Sequence, residues 1–369
     1  MTDLNRPVLC LLGLPIDRVT MDQALILVRE AVQSRKQLFL STPNLNFLIG
    51  SQSNPAFRQS VLDSDLSLAD GMPLVHLSRW LGVPLPERVT GSGLFERLRH
   101  DPVPAGHAPL KVFFFGGPPG AAAAACANLQ QGSSGLLGVG YQTPGFGSVE
   151  DMSQPEYIDQ INASGADFLV VALGGVKGQA WIQHNLKQLK IPVISHLGAV
   201  VNFAAGTVHR APRWVQSMGL EWLWRIKEEP SLWRRYWYDG LAFCRLFVVR
   251  LLPYGVYLFI QRHTSRSERV KPSVTSDGLG CKIRLEGVIG DPVPCDVRLA
   301  LLQVQAASGP LELDLSRLRH FGPSFAALLL LLDQSLATQQ RGLQFQGLTP
   351  QLKRLFRWNG LDALLRLSN

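Results

Sequence analysis

Along the first two hundred residues, apolar positions come in short unbroken runs separated by stretches of helical spacing. QLFLS (37–41), LSLAD (66–70), KVFFFGG (111–117), ADFLVVALGG (166–175) and IPVISHLGA (191–199) are strand-like runs bounded by turn residues. Helical stretches follow from Leu45, near Pro73, and across the alanine-rich segment Pro119–Leu129. Continuous apolar strands alternating with helices predict an α/β, Rossmann-like parallel sheet with helices on both faces. Ligands of such sheets bind beyond the carboxyl ends of the strands. Thr42, Asn44, Asp70, Gly116, Gly117, Gly174 and Gly175 fall there.

The pattern changes after residue 205. Residues 206–237, GTVHRAPRWVQSMGLEWLWRIKEEPSLWRRYW, interleave arginines with tryptophans. Residues 240–260, GLAFCRLFVVRLLPYGVYLFI, are very apolar, but Arg245 and Arg250 interrupt the run and Pro253 and Gly255 follow. A spanning helix needs about 20 apolar residues with few charges. The spacing here suits an amphipathic helix lying at a membrane interface, with an ordinary helix packed on the protein as the plainer alternative. TSRSERVKPSVTSDGLG (264–280) reads as a polar linker. Beyond it, strands over 281–289, 311–316 and 342–348 alternate with helices over 294–307, 325–340 and 351–361, a second small α/β domain. The expected layout is a core over 1–205, a basic membrane-proximal appendage over 206–263, a linker over 264–280 and a C-terminal domain over 281–369.

Length and charge sharpen this picture. A chain of 369 residues exceeds one typical core. Its net charge of +8 is uneven: residues 1–205 carry net −1, residues 206–271 net +7 and residues 272–369 net +2. The basic block therefore marks a surface. Arginine forks grip phosphate bidentately, and tryptophan favours membrane–water boundaries. Five scattered cysteines without a CxxC pair point to a reduced, cytoplasmic chain. The short apolar run Val8–Leu14, without a basic region before it, argues against a signal peptide.

Several side chains could carry chemistry. Asp70, at a strand end beside Gly71, suits a general base if burial raises its pKa, or a helix N-cap. Thr42 and Asn44 suit substrate orientation or simple capping. Arg88 precedes a glycine-rich turn and a helix, an arrangement fit for phosphate. FFFGGPPG is not GxGxxG, and no GxxxxGK[ST] occurs. His196 and His209 stand alone, and no HExxH or DxD is present, so neither metal nor cofactor is expected. The basic block carries no nucleic-acid motif.

With these residues laid out, roughly the first 240 positions resemble the WecG/TagA/CpsF family, glycosyltransferase family 26. The matching pieces are TPNLNFL (42–48), LADGMPLV (68–75), RVTGSGLFERL (88–98), VFFFGGPPG (112–120), GADFLVVALG (165–174) and the long block from Gly198 to Trp237. The resemblance implies an inverting, metal-independent transferase. It implies a UDP-sugar donor, the sugar being N-acetylmannosamine, its uronic acid or a hexose. The implied acceptor is a polyprenyl-diphosphate-linked sugar of surface polysaccharide biosynthesis, at the inner face of the cytoplasmic membrane. It makes Asp70 the base and Arg88 the residue that stabilises the diphosphate, with Thr42 and Asn44 as an active-site pair. Gly116, Gly117, Gly174, Gln179 and Arg210 join the expected substrate site, and Arg225, Arg234 and Arg235 fall in the appendage that closes it. The chain departs from the family pattern at Gly93 and Asn202, each in place of aspartate. Gly178 stands for the usual glutamine, and Gln179 for glutamate.

Residues 311–332, LELDLSRLRHFGPSFAALLLLL, resemble the strand–loop–helix of STAS domains. Ser324 aligns with the serine that some members phosphorylate, although Gly322-Pro323 replaces the preceding Asp-Ser. A docking module for a protein partner is the plainer expectation. A second reading of the whole chain is a non-catalytic, membrane-docked adaptor presenting this domain.

Overall fold

The computed structural model describes residues 3–103, 106, 108–208, 211–212, 215, 219–230, 232–264, 271–276 and 281–365. They form two compact units, Val19–Met72 with Pro86–Asp239, and Met1–Arg18 with Pro73–Leu85 and Gly240–Asn369. The opening hairpin, β1 (Val8–Leu11) and β2 (Leu14–Asp17), belongs to the latter.

The first unit is built on six parallel strands. They are β3 (Leu38–Ser41), β4 (Leu66–Ser67), β5 (Leu110–Gly116), β6 (Leu136–Gln142), β7 (Phe168–Ala172) and β8 (Val193–His196), in the order β4-β3-β8-β7-β5-β6. Side chains alternate between two cores. Leu40, Val112, Phe114, Val170 and Val193 face one core with Leu94, Ala125 and Val201. Phe39, Phe113, Phe115, Val171 and Ile194 face the other, where Phe115 stacks on Trp181 at 4.2 Å. The neighbouring strands β3 and β8 send their chains to opposite faces. After β3 come α2 (Leu45–Ser53) and α3 (Pro55–Leu62), and α3 packs on α8 (Gly175–Asn185) of the second core. After β8 comes α9 (Gly198–Ala205), which fills the first core. That divergence opens a crevice between their carboxyl ends, the place where sheets of this kind bind ligands.

Two local expectations change. The strand expected over 66–70 is regular only at Leu66–Ser67, because Leu68 and Asp70 continue as a looser extension, donating to Ser41 O and Pro43 O at 2.8 Å each. The glycine-rich strand β6 lacks the branched run that marks its neighbours and has no counterpart in the sequence reading; a side chain at Gly140 would strike the Phe113 ring.

In the second unit, β9 (Lys271–Ser276), β10 (Cys281–Ile289), β11 (Leu311–Phe321) and β12 (Leu343–Gln346) form a sheet ordered β12-β11-β10-β9. Only β9 is antiparallel. It lies inside the stretch expected to be linker. Pro272 is tolerated because β9 is an edge strand, where one row of N–H groups needs no partner. Helix Pro323–Thr338 is buried along most of its length, and β1 packs on it. Cys10 Sγ donates to Asn359 O at 3.2 Å, and Arg6 pairs with Asp17 inside the hairpin. The N-terminal hairpin is thus core material of the C-terminal fold.

A long helix runs from Leu232 to Thr264 with a π-helical turn at Phe247–Leu251, just before Pro253. Such turns relieve the clash and lost hydrogen bond that proline brings to a helix interior. Trp80 Nε1 donates to Leu251 O at 3.2 Å. Tyr254 packs on Trp358, and Tyr257 accepts from Gln351 at 2.8 Å. Leu251, Tyr254 and Leu258 are buried, whereas Val248, Val249, Leu252, Val256, Phe259 and Ile260 are exposed.

Candidate active site

Asp70 ends the extension of β4 and is pinned through its own N–H to Pro43 O. Its carboxylate accepts from the backbone N–H of Gly91, the first residue of α5 (Gly91–His100). Thr90 supplies the side-chain cap of α5 by accepting from Gly93 N at 2.9 Å. Burial pushes Asp70 up to about 6, and the nearby carboxylate of Glu221 adds to the rise; Arg225, Arg88 and the Gly91 N–H oppose it. An aspartate poised there is ionised at neutral pH yet basic enough to take a proton from an alcohol.

Arg88 forms a 2.7 Å ion pair with Glu221, the first residue of helix Glu221–Glu228. Arg225 lies one turn further, so Glu221 and Arg225 share one helix face. Asp70, Arg88, Glu221 and Arg225 therefore converge on one point. Glu221 is absent from the sequence candidates; its i,i+4 spacing to Arg225 was the available signal. Pairing through one nitrogen leaves Arg88 with further N–H donors for an oxyanion.

Thr42 is buried, and its methyl lies 3.0 Å from where a Cβ on Gly91 would sit. Asn44 caps α2, its side chain accepting from Phe47 N at 3.2 Å. Both residues line the mouth of β3. Gly116 and Gly117 have φ of +91° and +93°, and Gly117 N donates to Ala172 O at 2.8 Å. A Cβ on Gly116 would press on that carbonyl. Gly174, φ +81°, precedes α8, which begins with no side-chain cap. Gln179 is fully buried; its Nε2 donates to Ser41 Oγ at 3.0 Å and its Oε1 has no partner. His196, last residue of β8, is buried, and desolvation pushes it down to about 4, so the ring is neutral.

Arg234 and Arg235 stack over Trp233 and Tyr236, at 5.8 and 5.3 Å from the ring centres. Arg235 also acts on Asp239, which accepts from Asn46 Nδ2 at 3.0 Å. Arg210 and His209 lie outside the described residues. Ser324 is buried at the start of its helix; its N–H donates to Asp291 at 2.9 Å while its Oγ has no partner. A kinase would need that helix start to open. Among the described residues, no group of three His, Cys, Asp or Glu is arranged to hold a metal ion.

Known proteins resemble both parts of the chain. The profile of the glycosyl transferase WecG/TagA/CpsF family matches residues 9–255, and the profile described as Mlab, STAS domain matches residues 273–366. An N-acetylglucosaminyldiphosphoundecaprenol N-acetyl-beta-D-mannosaminyltransferase of Bacillus spizizenii is 30% identical over 205 residues, 55% of this chain and 76% of the relative. Enzymes of the same name from Staphylococcus aureus are 26% identical. In strain MW2 the match covers 61% of this chain and 85% of the relative, and in strain NCTC 8325 it covers 58% and 82%.

Proposed function

This chain belongs to the WecG/TagA/CpsF family of glycosyl transferases, and on that premise we propose that it moves a sugar from a UDP-sugar to a polyprenyl-diphosphate-linked sugar, with inversion and without a metal. The observation that carries the reading is Asp70, raised to about 6 and gathered with Arg88 and Arg225 at the carboxyl edge of a parallel sheet. The acceptor hydroxyl attacks the anomeric carbon as its proton passes to Asp70. The bond from that carbon to the diphosphate oxygen breaks, and UDP leaves with the electron pair. Fixed guanidinium groups stabilise the charge that appears on the leaving diphosphate, work otherwise done by a cation. The relatives' names specify N-acetylmannosamine as the transferred sugar and an N-acetylglucosaminyl-diphosphoundecaprenol acceptor, and both are the first substrates to try.

Attachment to the inner face of the cytoplasmic membrane belongs to the same proposal. Helix Leu232–Gln261 is long and apolar enough to cross a bilayer, by length and composition. Its exposed side nonetheless mixes Trp233, Trp237, Tyr238 and Leu241 with Arg234, Arg235 and Arg245. That mixture favours lying in the headgroup region, where a lipid-bound acceptor presents its sugar.

Purified chain, UDP-N-acetylmannosamine and a short-chain lipid-diphosphate N-acetylglucosamine should yield an extended glycolipid, equally well in EDTA. Binding of UDP-sugar without transfer to any lipid-diphosphate acceptor would favour the adaptor reading, which draws on Gly93, Gly178 and Asn202.

A further inference from the structure

His196 is out of keeping with its surroundings. It closes β8 in the crevice where the chain diverges after β3 and β8. The residue is only 9% exposed, and its Nε2 is buried without a hydrogen-bond partner. Neither ring nitrogen bonds to any described residue. A buried polar atom left unpaired costs free energy, and native structures retain few of them.

What holds the ring there is an absence of side chain. A Cβ at Gly178, in the first turn of α8, would overlap the imidazole at Cδ2, and a Cβ at Gly198, the first residue of α9, would lie 3.3 Å from Nε2. Phe47 of α2 stands with its ring centre 6.5 Å away. The helices α8 and α9, of eleven and eight residues, both begin without a side-chain cap, so first-turn N–H groups face the same crevice unpaired by side chains. Beside them Gln179 Oε1 is also fully buried and unpartnered. A neutral imidazole, a free amide oxygen and two uncapped helix starts together form a polar surface that lacks its complement.

Resting on the transferase reading above, we propose that His196, seated in the space that Gly178 leaves empty, reads the donor by hydrogen-bonding a neutral group of the bound nucleotide sugar. The partner is a hydroxyl or amide of the sugar or of the base. The phosphate oxygens suit the helix starts instead, which already offer N–H donors. His196 is thereby a specificity residue, and Gly178 is a positioning residue that acts only through it.

The test is a binding titration of the full-length chain with UDP, UDP-N-acetylglucosamine and UDP-N-acetylmannosamine, for wild type, His196→Ala, Gly178→Ala and the double variant. His196→Ala should weaken binding about tenfold, the value of one hydrogen bond in a closed site, while leaving the ligand-free melting temperature nearly unchanged. Gly178→Ala displaces the ring and should show a similar loss. The double variant should bind no worse than His196→Ala, a non-additivity that independent structural damage would not produce. A loss seen with UDP itself assigns the contact to the base; a loss confined to the sugar nucleotides assigns it to the sugar. Wild-type affinity in His196→Ala overturns the inference and leaves the transferase reading standing, as do losses that simply multiply in the double variant. Wild-type protein that binds none of the three ligands overturns both.

Discussion

Replacing Asp70 with asparagine separates its chemical role from its structural cost. The carboxyl stands at about 6 instead of the ordinary 3.8, and at about 1.4 kcal/mol per tenfold that difference amounts to about 3 kcal/mol at most. The sign follows from proton binding. Between pH 4 and 6 the folded chain holds a proton that the unfolded chain has released, so Asp70's contribution to stability is intact below pH 4 and falls as pH rises through 6. At neutral pH the ionised group is a net burden. Asparagine keeps an acceptor for the Gly91 N–H but no charge, so Asp70→Asn should raise the melting temperature at pH 7.5 by several degrees and leave it nearly unchanged at pH 4. The same variant should lose about 10²- to 10⁴-fold in turnover, the usual value of a positioned base. In the wild type, kcat/KM should climb about tenfold per pH unit below 6 and level off above it. Calorimetry at the two pH values and a UDP-release assay across the range measure all three. A variant that melts lower at pH 7.5, or that keeps wild-type turnover, would refute the assignment of a desolvated base.

The neighbouring charges should move that limb in opposite directions. Glu221→Gln removes a group that raises Asp70 and should shift the limb to lower pH, whereas Arg225→Ala should shift it to higher pH; pH–rate profiles decide both. Arg88→Ala should cost about 10²- to 10³-fold in turnover, the scale of one lost charge-stabilising donor, read from the same assay. Deleting residues 281–369 strips the cover from β1 and β2, where Val8, Leu9, Leu11, Leu14 and Ile16 are all buried. At about 1.5–3 kcal/mol per side chain the loss is on the order of 10 kcal/mol as an upper bound, comparable to a domain's whole stability, so the shortened chain should aggregate in gel filtration. Glutamate at Trp233 and Trp237, both exposed, should abolish flotation with anionic vesicles.

Much of this protein is legible in its sequence, because local order follows from local pattern. Apolar runs such as KVFFFGG and ADFLVVALGG can be buried only as inner strands, and both became so at β5 and β7. Asp70 and Arg88 stand next to turns that announce strand ends and helix starts. What the pattern could not show is pairing across the chain. Glu221 meets Arg88 from 133 residues away, and Cys10 meets Asn359 from 349 away. No periodicity records such contacts, since they arise when separate elements pack. The same holds for protonation: His196 reads as an isolated histidine, and Asp70, taken alone, reads more readily as a cap than as a base. Desolvation by the assembled crevice makes one neutral and the other a base near 6, because the cost of a buried charge is set by everything around it and by nothing in the residue alone.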